Sequence, residues 1–318
     1  MKPASRLTAI LQAVFVTFLW STSWVFIKLG LRGDLPPLTF AGLRYFIAFL
    51  CLAPFVFFNP LHRAALRQIS RREWVLLALL GLVFYTLAQG AQYVSLAALP
   101  AVMVNLMLNL CPILVGIIAI FTLKESPTLL QWLGILLAAI GTGIYFLPIS
   151  LPSAAFIGLA IAVLAMAANA VATLQSRQAN RDLSLSPLLI TFVSMGIGAS
   201  LMLLIGLIFQ GFGRPTLLDW GFILWMAVIN TAFAFTLWNH TLRTLTAVES
   251  SILNSLMMPQ IAILAVIFLG EKLAVKEILG LAFVFLGVTI VQFKKHAGSS
   301  TIELKELAHE DDLQQFNK

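Results

Sequence analysis

TLKESPTLLQWLG at residues 122–134 and FLGEKLAVKEILG at residues 268–280 lie 146 positions apart, and each carries a Glu at its fourth place and a Gly nine residues after that Glu. Both close a long apolar run. Sliding the chain by the same 146 positions brings Gly141 onto Gly287, Trp74 onto Trp220, and LPAVMVNLML (99–108) onto LTAVESSILN (245–254). Pro112 and Pro259 fall one residue out of register, and a shift of 150 pairs Pro37 with Pro187. Apolar residues match by chance easily. Shared Glu, Gly and Trp positions do not, so the chain reads as two copies of one unit.

The solvent of that unit follows from composition. Of 318 residues, 60% are hydrophobic and 10% charged, and the mean hydropathy is +0.97. A soluble domain has roughly 45–50% apolar and about 25% charged residues. Ten apolar runs, about 9–29, 38–58, 74–94, 99–122, 129–147, 154–176, 187–209, 220–241, 247–269 and 275–293, approach the ~20 residues that cross a ~30 Å hydrocarbon core. The first run follows Lys2 and Arg6 as a signal peptide would. It is too long for one and lacks a small-x-small cleavage site, so it is expected to stay as a helix.

Five runs per copy is an odd number, so the second copy enters the membrane from the opposite side. The expected fold is an all-α integral membrane protein of ten transmembrane helices in two inverted five-helix repeats. Residues 1–148 form the first repeat, 149–293 the second, and 294–318 a polar cytosolic tail. Inverted repeats let a secondary transporter build two alternative openings around one midplane site.

The net charge of +7 is a matter of topology. With a cytoplasmic N-terminus, fourteen Lys and Arg fall inside and five outside, and Arg44 alone lies well within a run rather than at its end. HRAALRQISRRE (62–73) is the strongest anchor. The basic balance therefore predicts no nucleic-acid partner. It places both termini in the cytoplasm and the chain in the cell's cytoplasmic membrane, with lipid and a small-molecule solute as partners. Cys51 and Cys111 lie inside runs without CxxC or Cys/His spacing, so neither disulfide, metal nor cofactor is expected.

The stretches AGLRYFIAFL (41–50) with Arg44, Pro112 followed by FTLKE (121–125), Pro259 followed by FLGE (268–271), and the Gly-spaced fifth and tenth runs resemble the EamA-type ten-helix members of the drug/metabolite transporter superfamily. The resemblance covers about residues 7–293. It implies export or exchange of small metabolites such as amino acids, through a central cavity lined by the first, third, fourth, sixth, eighth and ninth helices. The seventh run has Ser194 where the second has Arg44, so the role of that Arg is not duplicated.

Candidate solute contacts are polar or aromatic groups facing inward. Asn105, Asn109 and Pro112 recur at i, i+4 and i+7 in the fourth run, and Tyr85, Gln89 and Gln92 repeat the arrangement in the third. Asn254 shortly precedes Pro259, where a broken helix frees carbonyls. Trp20 and Trp24 in the first run and Asn169 in the sixth fall near midplane, where indole N–H groups need partners. The alternative for each amide is an interhelical hydrogen bond, typically worth about 0.6 kcal/mol. Arg44 is read as a snorkelling or carbonyl-bonded side chain, with anion attraction or gating as the other reading, and stands outside the solute set.

Glu125 and Glu271 are expected to bond the amides of the next helix. The glycines of the fifth and tenth runs point to scaffold packing or a homodimer contact. Glu249 with His240 is the candidate proton-coupling pair, although Thr246 and Glu249 also have capping-box spacing. No GxxxxGK[ST] loop is present, so transport would draw on a gradient or on the substrate itself. An enzyme would need a nucleophile and base or a metal cluster in the membrane, and only His240 of the four His falls in a run. A receptor or scaffold without flux is the remaining class. Within transport, a drug exporter or a nucleotide-sugar-like carrier is the alternative, the latter calling for more cationic lining than Arg44.

Overall fold

The computed structural model describes residues 6–111, 113–114, 118, 128–146, 153–241, 253–254 and 256–293. Every described element is helical. Helix α1 (Arg6–Gly30) runs from one face of the bundle, here the near face, to the opposite, far face, and α2 (Pro37–Phe57) returns. A short helix α3 (Pro60–Gln68) precedes α4 (Arg71–Ala98), which crosses again. Helix α5 (Ala101–Asn109) begins the fourth crossing, α6 (Leu129–Phe146) makes the fifth, and α7 (Ser153–Asp182) and α8 (Pro187–Phe209) follow. The bundle is completed by α9 (217–241), α10 (Met257–Leu269) and α11 (Val275–Phe293). Five of these, α1, α2, α4, α7 and α8, are individually long and apolar enough to span a bilayer.

The internal echo of the sequence reappears as geometry. Helix α4 starts with a capping box in which Ser70 accepts the Glu73 N–H at 3.3 Å and Glu73 accepts the Ser70 N–H at 2.7 Å. Helix α9 starts the same way, with Thr216 and Asp219 exchanging bonds at 3.2 and 2.8 Å. Each box stands immediately before a Trp of the matched pair, Trp74 and Trp220. The same two helices are wound in π form, α4 over Leu82–Gln89 and α9 over Met226–Phe233. In the fourth and ninth crossings the chain tightens ahead of the proline. The Leu110 N–H reaches the Met107 oxygen and the Leu256 N–H reaches the Leu253 oxygen, both at 3.1 Å. These are positions 146 apart.

Each copy also packs against its mate. In α6 and α11, a Cβ placed on Gly141 would lie 2.7 Å from the Gly280 oxygen, and one placed on Gly280 would lie 2.7 Å from the Gly141 oxygen. Helices α2 and α8 form the other mated pair, with Gly42 set against the Leu203 backbone. The glycine seam anticipated as scaffold or dimer contact therefore lies inside the chain. Pairing of the second with the seventh and the fifth with the tenth helix is what an in-plane twofold axis produces.

Two boundaries differ from expectation. Residues 59–73 carry α3, capped by Asn59, whose side chain accepts the Leu61 N–H at 2.9 Å. Its residues are all at least partly exposed, with Arg63 and Arg67 on a helix too polar to cross, a form suited to the membrane interface. Helix α7 continues to Asp182, beyond the apolar run that ended near 176, because Gln, Arg and Ala keep helical propensity where hydropathy falls. Leu217, Phe58, Phe55 and Ile208 are among the large apolar side chains exposed on the bundle surface, as a lipid-facing exterior allows.

Candidate functional site

Arg44 lies two turns inside α2 and is only 6% exposed. Its Nε donates to Thr231 Oγ1 at 3.3 Å, Nη1 to Tyr93 at 3.2 Å and Nη2 to Ser23 Oγ at 3.3 Å. Its Cζ stands 5.1 Å from the Tyr45 ring centroid. Helices α1, α2, α4 and α9 thus meet at one guanidinium. The expectation of snorkelling or carbonyl bonding is corrected: the partners are hydroxyls, brought around the buried guanidinium by three neighbouring helices, and a ring.

Asn230 sits beside this group and is fully buried. Its Nδ2 approaches the Leu19 carbonyl at 2.7 Å, Ser23 Oγ at 2.8 Å and Thr22 Oγ1 at 3.1 Å, while its Oδ1 is buried without a partner. The π winding of α9 lets Thr231 Oγ1 donate to the Met226 carbonyl five residues back at 2.8 Å. π segments recur at functional sites because the wider turn re-aims side chains and backbone.

The π segment of α4 carries Tyr85 and Gln89. Gln89 is half-buried and accepts the Tyr45 hydroxyl at 2.7 Å, and the Tyr85 ring meets Tyr45 edge-on with centroids 5.6 Å apart. Tyr45 therefore joins these two predicted residues to Arg44. Asn105 and Asn109 also come together: Asn109 Nδ2 donates to Asn105 Oδ1 at 2.7 Å and to the Asn105 carbonyl at 2.9 Å. Asn105 in turn donates to the Met258 carbonyl at 3.1 Å, tying α5 to α10 beside Pro259. Ser21 of α1 reaches Gln260 of α10 at 2.9 Å.

The other predicted residues are placed more loosely. Trp20 is half-buried between Phe235 and Trp238, at centroid distances of 5.3 and 5.2 Å, and its Nε1 is buried without a partner. Trp24 packs in the main core at 7% exposure. Asn169 is half-buried and turns back on the Ala165 carbonyl of its own helix at 2.9 Å, and Asn254 is exposed. His240 lies in the last turn of α9. Glu249 lies outside the described residues, as do Glu125 and Pro112.

At the far face Glu271 accepts the backbone N–H groups of Ala101 at 2.6 Å and Val102 at 3.1 Å. The expected service to the next helix is corrected. Glu277 performs that, accepting the Ala274 N–H at 2.7 Å ahead of α11, whereas Glu271 caps α5 in the opposite repeat. Gly270 makes this reach possible by ending α10 at φ 68°, a left-handed turn that favours glycine. Lys28 of α1 donates to the carbonyls of Leu96 and Leu99 at 2.7 Å each, and Arg32 donates to the Leu269 carbonyl at 3.1 Å. A cation thus sits at the C-terminus of α4 and an anion at the N-terminus of α5, each favoured by the helix dipole. The turn between these helices is clasped between α1 and the turn after α10.

Ser23, Tyr93, Asn230, Thr231 and Gln260 were not singled out by sequence. A signal existed in VINTAF (228–233), where Asn-Thr is the polar pair in an apolar run.

Similarity to known proteins agrees with this architecture. The model of the EamA-like transporter family matches twice, over residues 7–147 and 156–293. An uncharacterized transporter of Bacillus subtilis, YoaV, is 25% identical over 89% of this chain and 96% of its own length. A second from that organism, YetK, is 26% identical over 82% of this chain and 80% of its own. An uncharacterized transporter of Archaeoglobus fulgidus is 25% identical over 87% and 93%. One chain of known crystal structure superposes with a TM-score of 0.62 at 17% identity, covering 90% of this chain and 96% of that one, which speaks for the fold alone. A multi-pass membrane protein matched along both of its halves in this way belongs to the EamA-like transporter family of the drug/metabolite transporter superfamily.

Proposed function

We propose that this transporter is a gradient-driven exporter or exchanger of small metabolites such as amino acids, working by alternating access between repeats 1–148 and 149–293. The observation that carries the reading is the far-face clasp: Glu271 on the amides of α5, Lys28 on the carbonyls of α4 and Arg32 on the end of α10. The bonds of Glu271 and Arg32 cross between the two repeats, and that of Lys28 ties α1 to α4 beside them at the far face. In this reading the near face is cytoplasmic, both termini lie there, and the membrane is the cell's cytoplasmic membrane.

The solute-facing set comprises Trp20, Trp24, Tyr85, Gln89, Asn105, Asn109, Asn169 and Asn254. Support comes from the half-buried state of Trp20, Gln89 and Asn109 and from the unpartnered Trp20 Nε1. Glu249 and His240 are proposed to carry the coupled proton at the near face. Purified protein in liposomes should exchange labelled amino acids against an internal pool, faster with an imposed pH gradient. Folded protein that moves no amino acid, other metabolite or cationic drug under either condition would leave a binding or scaffold role.

A further inference from the structure

Arg44 is charged at all physiological pH. Among the described residues no carboxylate stands within ion-pair distance, and the ionisable groups acting on it are the phenols of Tyr93 and Tyr45. Its three hydrogen bonds, at 3.2–3.3 Å, all go to neutral hydroxyls and lie at the long end of the range. A guanidinium presents five N–H groups. A buried charge is ordinarily paired.

The groups around it are short of partners in the same sense. Ser23 Oγ accepts from both Arg44 and Asn230, which leaves its own hydrogen to donate. Tyr93 accepts from Arg44 and is in the same position. The Trp20 Nε1, one turn along α1 from Ser23, is a buried donor without an acceptor. Asn230 cannot relieve this by flipping, because its Nδ2 already faces the Leu19 carbonyl at 2.7 Å. Around Arg44 the described residues therefore hold hydroxyl hydrogens free to donate, a positive charge with no carboxylate beside it and one orphan acceptor, Asn230 Oδ1.

We propose that this cluster binds the carboxylate of the transported solute, with Arg44 as counter-ion and the hydroxyls of Ser23 and Tyr93 completing its hydrogen bonds. Asn230 Oδ1 accepts an N–H or O–H from the same molecule. The site rests on the carrier reading above and deepens it to carboxylate-bearing metabolites. Its position fits a solute path: Ser23 is five residues before Lys28 on α1, and Tyr93 is three before Leu96 on α4, so the guanidinium lies just inside the clasp. A purely structural tie between four helices would call for matched donors and acceptors, not for an unneutralised cation.

The test is ligand-dependent thermal stabilisation of the purified full chain in detergent. Matched trios built on alanine, threonine, leucine and phenylalanine supply the amino acid, its deaminated acid and its decarboxylated amine. At least one trio should stabilise through both carboxylates and not through the amine, with Arg44→Gln weakening apparent affinity by about tenfold or more. Thr231→Asp keeps the side-chain volume and places a carboxylate where Arg44 Nε now meets a hydroxyl. That protein gives up the Thr231 bond to the Met226 carbonyl, so its own ligand-free melt is the reference; it should lose carboxylate stabilisation, and it decides the matter if Arg44→Gln does not fold. Stabilisation by the amine alone, by no carboxylate in any trio, or undiminished in Thr231→Asp would overturn the proposal. Amine flux in liposomes without carboxylate binding would refute this site and keep the carrier. Carboxylate binding without flux of any solute would do the reverse.

Discussion

The carboxylate of Glu271 stands 2.6 Å from the backbone nitrogen of Ala101, so a residue of the second repeat caps a helix of the first. A capping bond within one repeat would move with that repeat. This one must break if the two repeats part at the far face, and a charge-assisted bond to backbone amides is worth about 1.5–3 kcal/mol.

Removing the carboxylate should therefore loosen the far end. With Cys51 and Cys111 replaced, a single cysteine at Ser95, fully buried beside Lys28's acceptors, should react slowly with an impermeant maleimide. In Glu271→Ala the rate should rise about tenfold, the fraction set by one such bond. Equal rates would mean that Glu271 holds nothing closed.

The glycine seam between α6 and α11 predicts a steep dependence on volume. Gly141→Leu or Gly280→Leu forces a side chain onto the facing carbonyl, and overpacking costs about 1–3 kcal/mol. Thermal unfolding in detergent should fall clearly for either. Gly143→Ala meets nothing within 4 Å and should leave the melt unchanged.

That seam also shows how far sequence could reach. Gly134, Gly141, Gly280 and Gly287 were visible as an echo at one fixed offset, and so was the pairing of repeats, because an offset reports symmetry directly. Contacts across the symmetry axis are not encoded in any offset. Hence Glu271 was assigned to the neighbouring helix when Gly270 turns it onto Ala101 and Val102 of the opposite repeat. Asn230 was missed for a related reason. A π turn aims it, and hydropathy sees only an apolar run with two polar letters. Tyr85 with Gln89, and Asn105 with Asn109, were legible as pairs from their four-residue spacing. Their links through Tyr45 and Met258 required the packed bundle.

For the solute-facing amides, Gln89→Ala and Asn109→Ala should lower the initial rate of uptake into liposomes several-fold at unchanged yield of folded protein. Asn105→Ala should lower both, since it also cuts the bond to the Met258 carbonyl that joins α5 to α10. Normal flux in all three would reduce these amides to packing.

Proton coupling is separable from capping at Glu249. Gln keeps capping geometry and cannot titrate. Glu249→Gln should thus fold normally and transport at a rate that no longer responds to an imposed pH gradient. A response equal to the parent's would assign the residue to the cap.

Alternation at the far face is the central claim, and locking that face tests it most directly. Cysteines at positions 101 and 271, in a chain without Cys51 and Cys111, are joined by a short cleavable bifunctional thiol reagent after reconstitution. Flux should cease in proportion to cross-linking and return when the reagent is cleaved. Undiminished flux in fully cross-linked protein would contradict alternating access through this closure.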